Sequence, residues 1–391
     1  METNRTSEAT FGDGASETGV AATPSSRLRA LAADHPLQRP TNAGGTADAP
    51  LLRRYRGEAV DAAPSVWFMR QAGRSLPEYR RVREGTGMLE ACRRPDLVAE
   101  ITVQPVRRHR VDAGIFFSDI VVPAYLAGLD VEIQPGRGPA FAQPIRTEDA
   151  VRALPALDDD YEAALEPIRD AVRLASAELG PVPLIGFCGA PFTVASYMVE
   201  GGPSRDHLRT RALMRERPEV WARLAAWVAE ASGRFLRAQV LAGASAVQLF
   251  DSWVGSLSED VYRHHVLAHS AAVLRTVADL PVPRVHFGVG AAHLLPALHD
   301  AGATVVGVDH RLRLDRALDL LGPGVPVQGN IDPAVLFTSE RARYAEARAV
   351  LDAGAGAPGH VVNLGHGVPP ETDPHVLTDL VSFLHAEPAR S

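Results

Sequence analysis

Two arginines flank three small or neutral residues in Arg70-Gln71-Ala72-Gly73-Arg74, directly after the apolar run at 65–69. Guanidinium forks fixed near one another can hold carboxylates bidentately, with defined orientation. Other apolar runs also end in reactive groups. Asp119 sits in Phe116-Phe117-Ser118-Asp119-Ile120, Tyr197 lies beyond Gly189-Ala190-Pro191-Phe192-Thr193, and Ser252 falls within Gln248-Leu249-Phe250-Asp251-Ser252-Trp253. Asp309, the stretch Gly329-Asn330-Ile331-Asp332, and His366 in Gly365-His366-Gly367 complete the set. Together they bring acidic, basic and hydroxyl groups to one mouth. Each has a structural alternative. Paired arginines serve surface ion pairs, an Asp or Ser after a strand caps a helix, and a tyrosine in a helix fills core.

Elements that bring these residues together follow from the apolar pattern. Short runs recur at 65–69, 114–117, 183–187, 246–250, 284–287, 304–308, 326–328 and 361–364. Their nearly continuous Val, Ile, Leu and Phe content fits strands buried on both faces of a parallel sheet. Between them, Val220, Leu224, Trp227, Val228, Ala231 and Phe235 recur at helical spacing, and Gly243 supplies a stop. The expected architecture is an α/β (β/α)8 TIM barrel over 49–391, within the size range of that fold at roughly 340 residues. An open doubly wound sheet is the alternative, but no Gly-x-Gly-x-x-Gly or phosphate loop follows the first strand. Residues 1–48 are rich in Thr, Ser, Gly and Ala without periodicity and are expected to form a disordered tail. Gly12-Asp13-Gly14 within it superficially matches a thiamine-diphosphate motif but lacks flanking elements.

Composition removes whole mechanisms. All 40 basic residues are arginine, so no ε-amine exists for a Schiff base, a pyridoxal-phosphate aldimine or a phosphate-loop lysine. Cys92 and Cys188 are too few for a disulfide framework or an all-thiolate zinc site. A net charge of −7 opposes broad nucleic-acid binding, so an anionic ligand must meet a local arginine cluster. With 46% hydrophobic residues the chain can bury a large core, yet no run approaches the roughly 18 residues of a spanning helix. A soluble cytoplasmic protein, with no membrane and no nucleic-acid partner, is expected.

The longer motifs carry a resemblance. Val66-Trp67-Phe68-Met69-Arg70-Gln71-Ala72-Gly73-Arg74, continued by Leu76-Pro77-Glu78-Tyr79-Arg80, resembles the N-terminal signature of the uroporphyrinogen decarboxylases. Gly186-Phe187-Cys188-Gly189-Ala190-Pro191-Phe192-Thr193, running on through Tyr197-Met198-Val199-Glu200-Gly201-Gly202, is similar to that family's second signature. Phe117-Ser118-Asp119-Ile120, Gln328-Gly329-Asn330-Ile331-Asp332-Pro333 and Asn363-Leu364-Gly365-His366-Gly367 add to the match, which spans about residue 50 to the C-terminus. Ser75, where the family commonly has an aromatic residue, and the short Gly201-Gly202-Pro203 run depart from its pattern.

The resemblance implies a (β/α)8 barrel, a homodimer, and loss of CO2 from all four acetate arms of uroporphyrinogen III to give coproporphyrinogen III, without cofactor or metal. It implies Asp119 and Arg70 as catalytic residues. Arg70, Gln71, Ala72, Gly73, Arg74, Asp119, Tyr197, Ser252 and His366 would contact the substrate, with Arg83 a further candidate. Asp119 would accept hydrogen bonds from the pyrrole N–H groups at the ring centre. Arg70, a water and the substrate's own carboxylic acid are all open as proton donor. A methyltransferase of the same superfamily would need a His-x-Cys pair and a late second Cys, which are absent. A porphyrin carrier would bind without releasing CO2.

Overall fold

The structure is a computed structural model that describes residues 31–389. Its strands in chain order are β1 Ser65–Val66, β2 Gly114–Ile115, β3 Val131–Gln134, β4 Gly138–Phe141, β5 Leu184–Gly189, β6 Ala246–Asp251, β7 Arg284–Gly288, β8 Val305–Gly307, β9 Val327–Gln328 and β10 His360–Val362. Eight of them form one parallel sheet in the order β1-β10-β9-β8-β7-β6-β5-β2. Every apolar run in the sequence supplies one of these strands, and helices on the outside make a (β/α)8 barrel. Only β3 and β4, an antiparallel hairpin between β2 and β5, stand outside the repeat.

Burial explains the outer layer. Helix Pro218–Ala242 buries Val220, Leu224, Val228, Ala231 and Phe235 on one stripe, while Trp227 at its edge is half-buried and donates Nε1–H to Pro155 O at 2.8 Å. Truncating Phe235 to alanine there would cost about 3–5 kcal/mol. Gly243 ends the helix at φ 140°, and a Cβ on it would approach Ser176 Oγ to 2.8 Å.

The barrel interior is partly polar, and one chain of hydrogen bonds links several of its polar groups. Trp67 Nε1–H donates to Tyr55 Oη at 2.9 Å, Tyr55 O–H to Gln328 Oε1 at 2.5 Å, and Gln328 Nε2–H to Gln248 Oε1 at 3.0 Å. The last bond joins β9 to β6 across the lumen, since β8 and β7 separate those strands in the sheet. Buried amides left without partners would each cost about 1–3 kcal/mol.

β1 and β2 share no ladder, so the barrel closes there by other means. Asp112 N–H donates to Val66 O at 2.8 Å, Val66 N–H to Asp112 Oδ2 at 2.7 Å, and Gln71 Nε2–H to Ala113 O at 2.9 Å. His385, from the C-terminal helix Pro374–Ala386, places Nε2 at 2.9 Å from the same Asp112 Oδ2.

The tail expected over 1–48 is corrected for residues 31–48. Leu31 and Leu37 are buried, His35 Nε2 lies 2.8 Å from Val240 O, and Thr46 Oγ1 lies 2.7 Å from Ser245 Oγ. A few anchors suffice to pack an otherwise polar segment. The rest of the expected tail, with Gly12-Asp13-Gly14, lies outside the described residues.

The hydrogen bond from His385 to Asp112 raises the imidazole pKa above its ordinary value, more than burial lowers it. Folding therefore takes up a proton at His385. The stabilisation is full below the unfolded pKa of about 6.5 and is lost as pH rises through the folded value. Thermal melts of wild type and His385→Gln should differ most near about pH 6 and converge by about pH 9. A gap independent of pH would remove the charge from this account.

Candidate active site

The predicted site residues sit beyond the C-terminal ends of their strands, the end of such barrels that carries chemistry. Beyond β1, Arg70 has left-handed backbone at φ 61°, a conformation that costs a non-glycine residue about 1–2 kcal/mol. The loop after β10 holds it there. Asn363 Oδ1 accepts Met69 N–H at 3.0 Å, and Met69 O accepts Val368 N–H at 2.8 Å. Arg70 and Arg74 are exposed, and neither has a carboxylate of any described residue within 4.0 Å.

Gln71 is different from its neighbours. Its side chain is fully buried, with Oε1 accepting Phe68 N–H at 2.9 Å and Nε2 spent on the β1–β2 seam. Its amide therefore builds the loop instead of facing a ligand. The N–H groups of Ala72, Gly73 and Arg74 donate to no described residue, which leaves the backbone of this loop free for an anion.

Asp119 follows β2. Its Oδ1 accepts Val121 N–H at 3.1 Å, and its backbone carbonyl accepts Val122 N–H at 3.1 Å, so it also fixes the turn leading into the helix Val122–Leu126, whose N-cap is Val121. Thr102 Oγ1 pins the segment by accepting Phe117 N–H at 3.0 Å. Burial raises the Asp119 pKa above the usual carboxylate range, against the lowering pull of the Val121 N–H, the Arg70 charge and the Ile120 N–H. Arg83 lies behind, its guanidinium 5.8 Å from the Tyr79 ring centroid and 6.0 Å from that of Phe117.

Tyr197 lies in the second turn of helix Pro191–Glu200. Its ring stacks on Trp253 with centroids 3.9 Å apart, and Trp253 in turn lies 4.4 Å from His207. The turn after β6 is fixed by Thr193, whose hydroxyl donates to Asp251 Oδ1 at 2.6 Å and accepts Trp253 N–H at 3.2 Å. Ser252, between those two residues, is half-buried and its hydroxyl bonds to no described residue. Burial, assisted by the Asp119 charge and opposed by Arg70, pushes the Tyr197 pKa up to about 12, so it stays a neutral hydroxyl.

His366, after β10, has its pKa lowered by burial first and then by Arg70, His310 and Arg311. The direction of that shift favours the neutral imidazole. Arg70 thus acts electrostatically on Asp119, Tyr197 and His366 alike, which brings residues from β1, β2, β5 and β10 into one site. Arg311 is the cation the motif reading passed over. Its Nη1 donates to buried Asp309 Oδ2 at 2.5 Å, and Asp309 also accepts Gly290 N–H at 2.6 Å. An Asp-x-Arg triplet just past β8 was the available signal.

A cavity of about 370 Å³ lined by Ala49, Val106, Asp112 and Pro183 lies at the N-terminal ends of the strands and reaches none of these residues. Cys92 and Cys188 are buried, with thiol pKa values raised by that burial. Among the described residues no group of three or more His, Cys, Asp or Glu side chains could hold a metal ion.

The family described as Uroporphyrinogen decarboxylase (URO-D) matches residues 46–387. A protein named uroporphyrinogen decarboxylase from Arthrobacter sp. (strain FB24) is 59% identical over 343 residues, covering 88% of this chain and 98% of the relative. One of the same name from Leifsonia xyli subsp. xyli (strain CTCB07) is 56% identical over 376 residues, covering 92% and 98%. Among solved structures, a methyltransferase from Methanosarcina mazei superposes with a TM-score of 0.71 at 18% identity, covering 87% of this chain and 98% of that one, which shows a shared fold. The match over nearly the whole described chain, at this identity, places the chain in the uroporphyrinogen decarboxylase family.

Proposed function

We infer that this chain decarboxylates the four acetate arms of uroporphyrinogen III to methyl groups, giving coproporphyrinogen III and four CO2 in haem biosynthesis. The observation that carries the reading is a half-buried carboxylate, Asp119, that feels the charge of Arg70, while neither Arg70 nor Arg74 has a carboxylate of a described residue within 4.0 Å. A substrate bearing eight carboxylates around four N–H donors needs that division, cations outside and an anion within.

The chemistry sets what each residue does. A proton added to a pyrrole α-carbon makes that ring a cationic electron sink. The bond between the acetate methylene and its carboxylate then breaks, CO2 leaves, and the bonding pair enters the ring. Protonation of the methylene gives the methyl group, and loss of the α-carbon proton restores the pyrrole. Each cycle consumes one proton net. Ionised Asp119 accepts the N–H groups and stabilises the cationic ring more than the neutral one, which is differential transition-state binding. Arg70 and Arg74, with the free N–H groups of Ala72 and Gly73, hold the acidic arms, each charge-assisted bond contributing about 1.5–3 kcal/mol. Tyr197, Ser252 and His366 bond the rim as neutral groups. Arg70 also lowers the Asp119 pKa, so its charge favours the ionised form that the mechanism uses.

The reading needs no cofactor, and takes the active unit as a homodimer in the cytoplasm. No helix of the described residues is long and apolar enough to cross a membrane. The zinc-and-thiolate methyltransferase reading has no support in the two buried cysteines.

Asp119→Asn should keep micromolar-range affinity yet lose turnover by roughly 100- to 1,000-fold, the usual effect of removing one preorganised electrostatic group. Wild-type turnover in that variant would contradict the mechanism. The carboxyl resonance of Asp119 should titrate above the ordinary carboxylate range, and Arg70→Gln should move it higher still, because the lowering charge is gone. A downward move would reverse the assigned coupling. Chelator-treated protein incubated anaerobically with uroporphyrinogen should release the successive seven-, six-, five- and four-carboxylate products. Retention of all eight carboxylates would reject the function.

A further inference from the structure

We propose that Gly367 is a positioning residue for Arg70, and that its missing side chain is what aims the guanidinium into the site. The role of Arg70 in this proposal rests on the function inferred above. A Cβ built on Gly367 would lie 2.4 Å from Arg70 Cδ, 2.8 Å from Cγ and 3.1 Å from Nε. These are the three nearest heavy atoms, and all belong to the arginine stem. The backbone at 367 is outside the left-handed region, so alanine can adopt it without strain. The atoms that crowd a side chain at 367 most closely are therefore those of the arginine stem.

The rest of the loop is arranged to the same end. Asn363 and Val368 fix Met69 from its N–H and its carbonyl, which holds Arg70 in its left-handed conformation. That conformation sends the side chain across residue 367, and the absence of a Cβ lets it lie there. His366, one residue earlier, feels the charge so placed. Restoring normal contact at about 3.5–4.0 Å requires the stem to move by more than about 1 Å. A shift of that size in a charge near a reacting centre costs about 100-fold in rate. Sterically the displaced atoms are flexible side chain, so the fold bears little of the change.

The test is a double-mutant cycle between Gly367→Ala and Arg70→Ala. In the wild-type background Gly367→Ala should lower kcat/KM for uroporphyrinogen roughly 100-fold while the melting temperature moves by only about 1 °C. In the Arg70→Ala background, where the stem is gone, the same substitution should change kcat/KM by less than about 2-fold. Equal losses in both backgrounds, or wild-type activity in Gly367→Ala, overturn the proposal. Should Gly367→Ala unfold, recovery of the melting transition in the double variant supports the clash, and failure to recover overturns it. The Nε–H resonance of Arg70 supplies a readout separate from turnover. Its displacement in Gly367→Ala supports positioning even if the wild type fails to decarboxylate uroporphyrinogen, and an unmoved resonance counts against it.

Discussion

Between β1 and β2 the barrel is closed by one backbone bond and a few side-chain bonds instead of a strand ladder, and that seam separates the two groups to which the proposed chemistry is assigned. Arg70 leaves β1 and Asp119 leaves β2. Their spacing therefore depends on a handful of bonds: Asp112 to the Val66 backbone, Gln71 to Ala113, and His385 to Asp112. A ladder would have tied the strands at every residue. Here the site residue Gln71 serves the closure with its side chain, while the loop it belongs to presents Arg70 and Arg74.

The same loop shows how strain and room are traded at a functional site. A left-handed arginine is unfavourable in isolation, and it persists because Asn363, Val368 and Gly367 surround it on the other side of the β1–β10 pair. The product of that local cost is a cation whose charge lowers the Asp119 pKa against the rise that burial imposes. Electrostatics and backbone geometry are one device here. The neutral partners owe their state first to burial, which raises the Tyr197 pKa against the pull of Arg70 and lowers that of His366 together with Arg70.

How far the sequence revealed this varies with the kind of force involved. The eight barrel strands were legible because burial on both faces leaves unbroken apolar runs, and helix Pro218–Ala242 because one face must be apolar. The β3–β4 hairpin was not, since its strands mix Glu132, Gln134, Gly138 and Pro139 with apolar residues and face the core little. Polar composition hid the packing of residues 31–48, which rests on a few anchors such as Leu37 and His35. Arg70, Asp119, Tyr197, Ser252 and His366 could be located by strand ends and motif. That Gln71 turns inward, that Trp253 stacks on Tyr197 and that Arg311 joins the mouth are tertiary facts, set by which loops meet.

The central claim is that Asp119 is the anion at the centre of a cationic mouth. A structure with coproporphyrinogen bound under anaerobic conditions tests it most directly. The account predicts pyrrole nitrogens converging on the Asp119 carboxylate at about 3 Å, with carboxylate arms directed outward to Arg70 and Arg74. A ring whose nitrogens face away from Asp119, with that carboxylate bonded to protein alone, would contradict it.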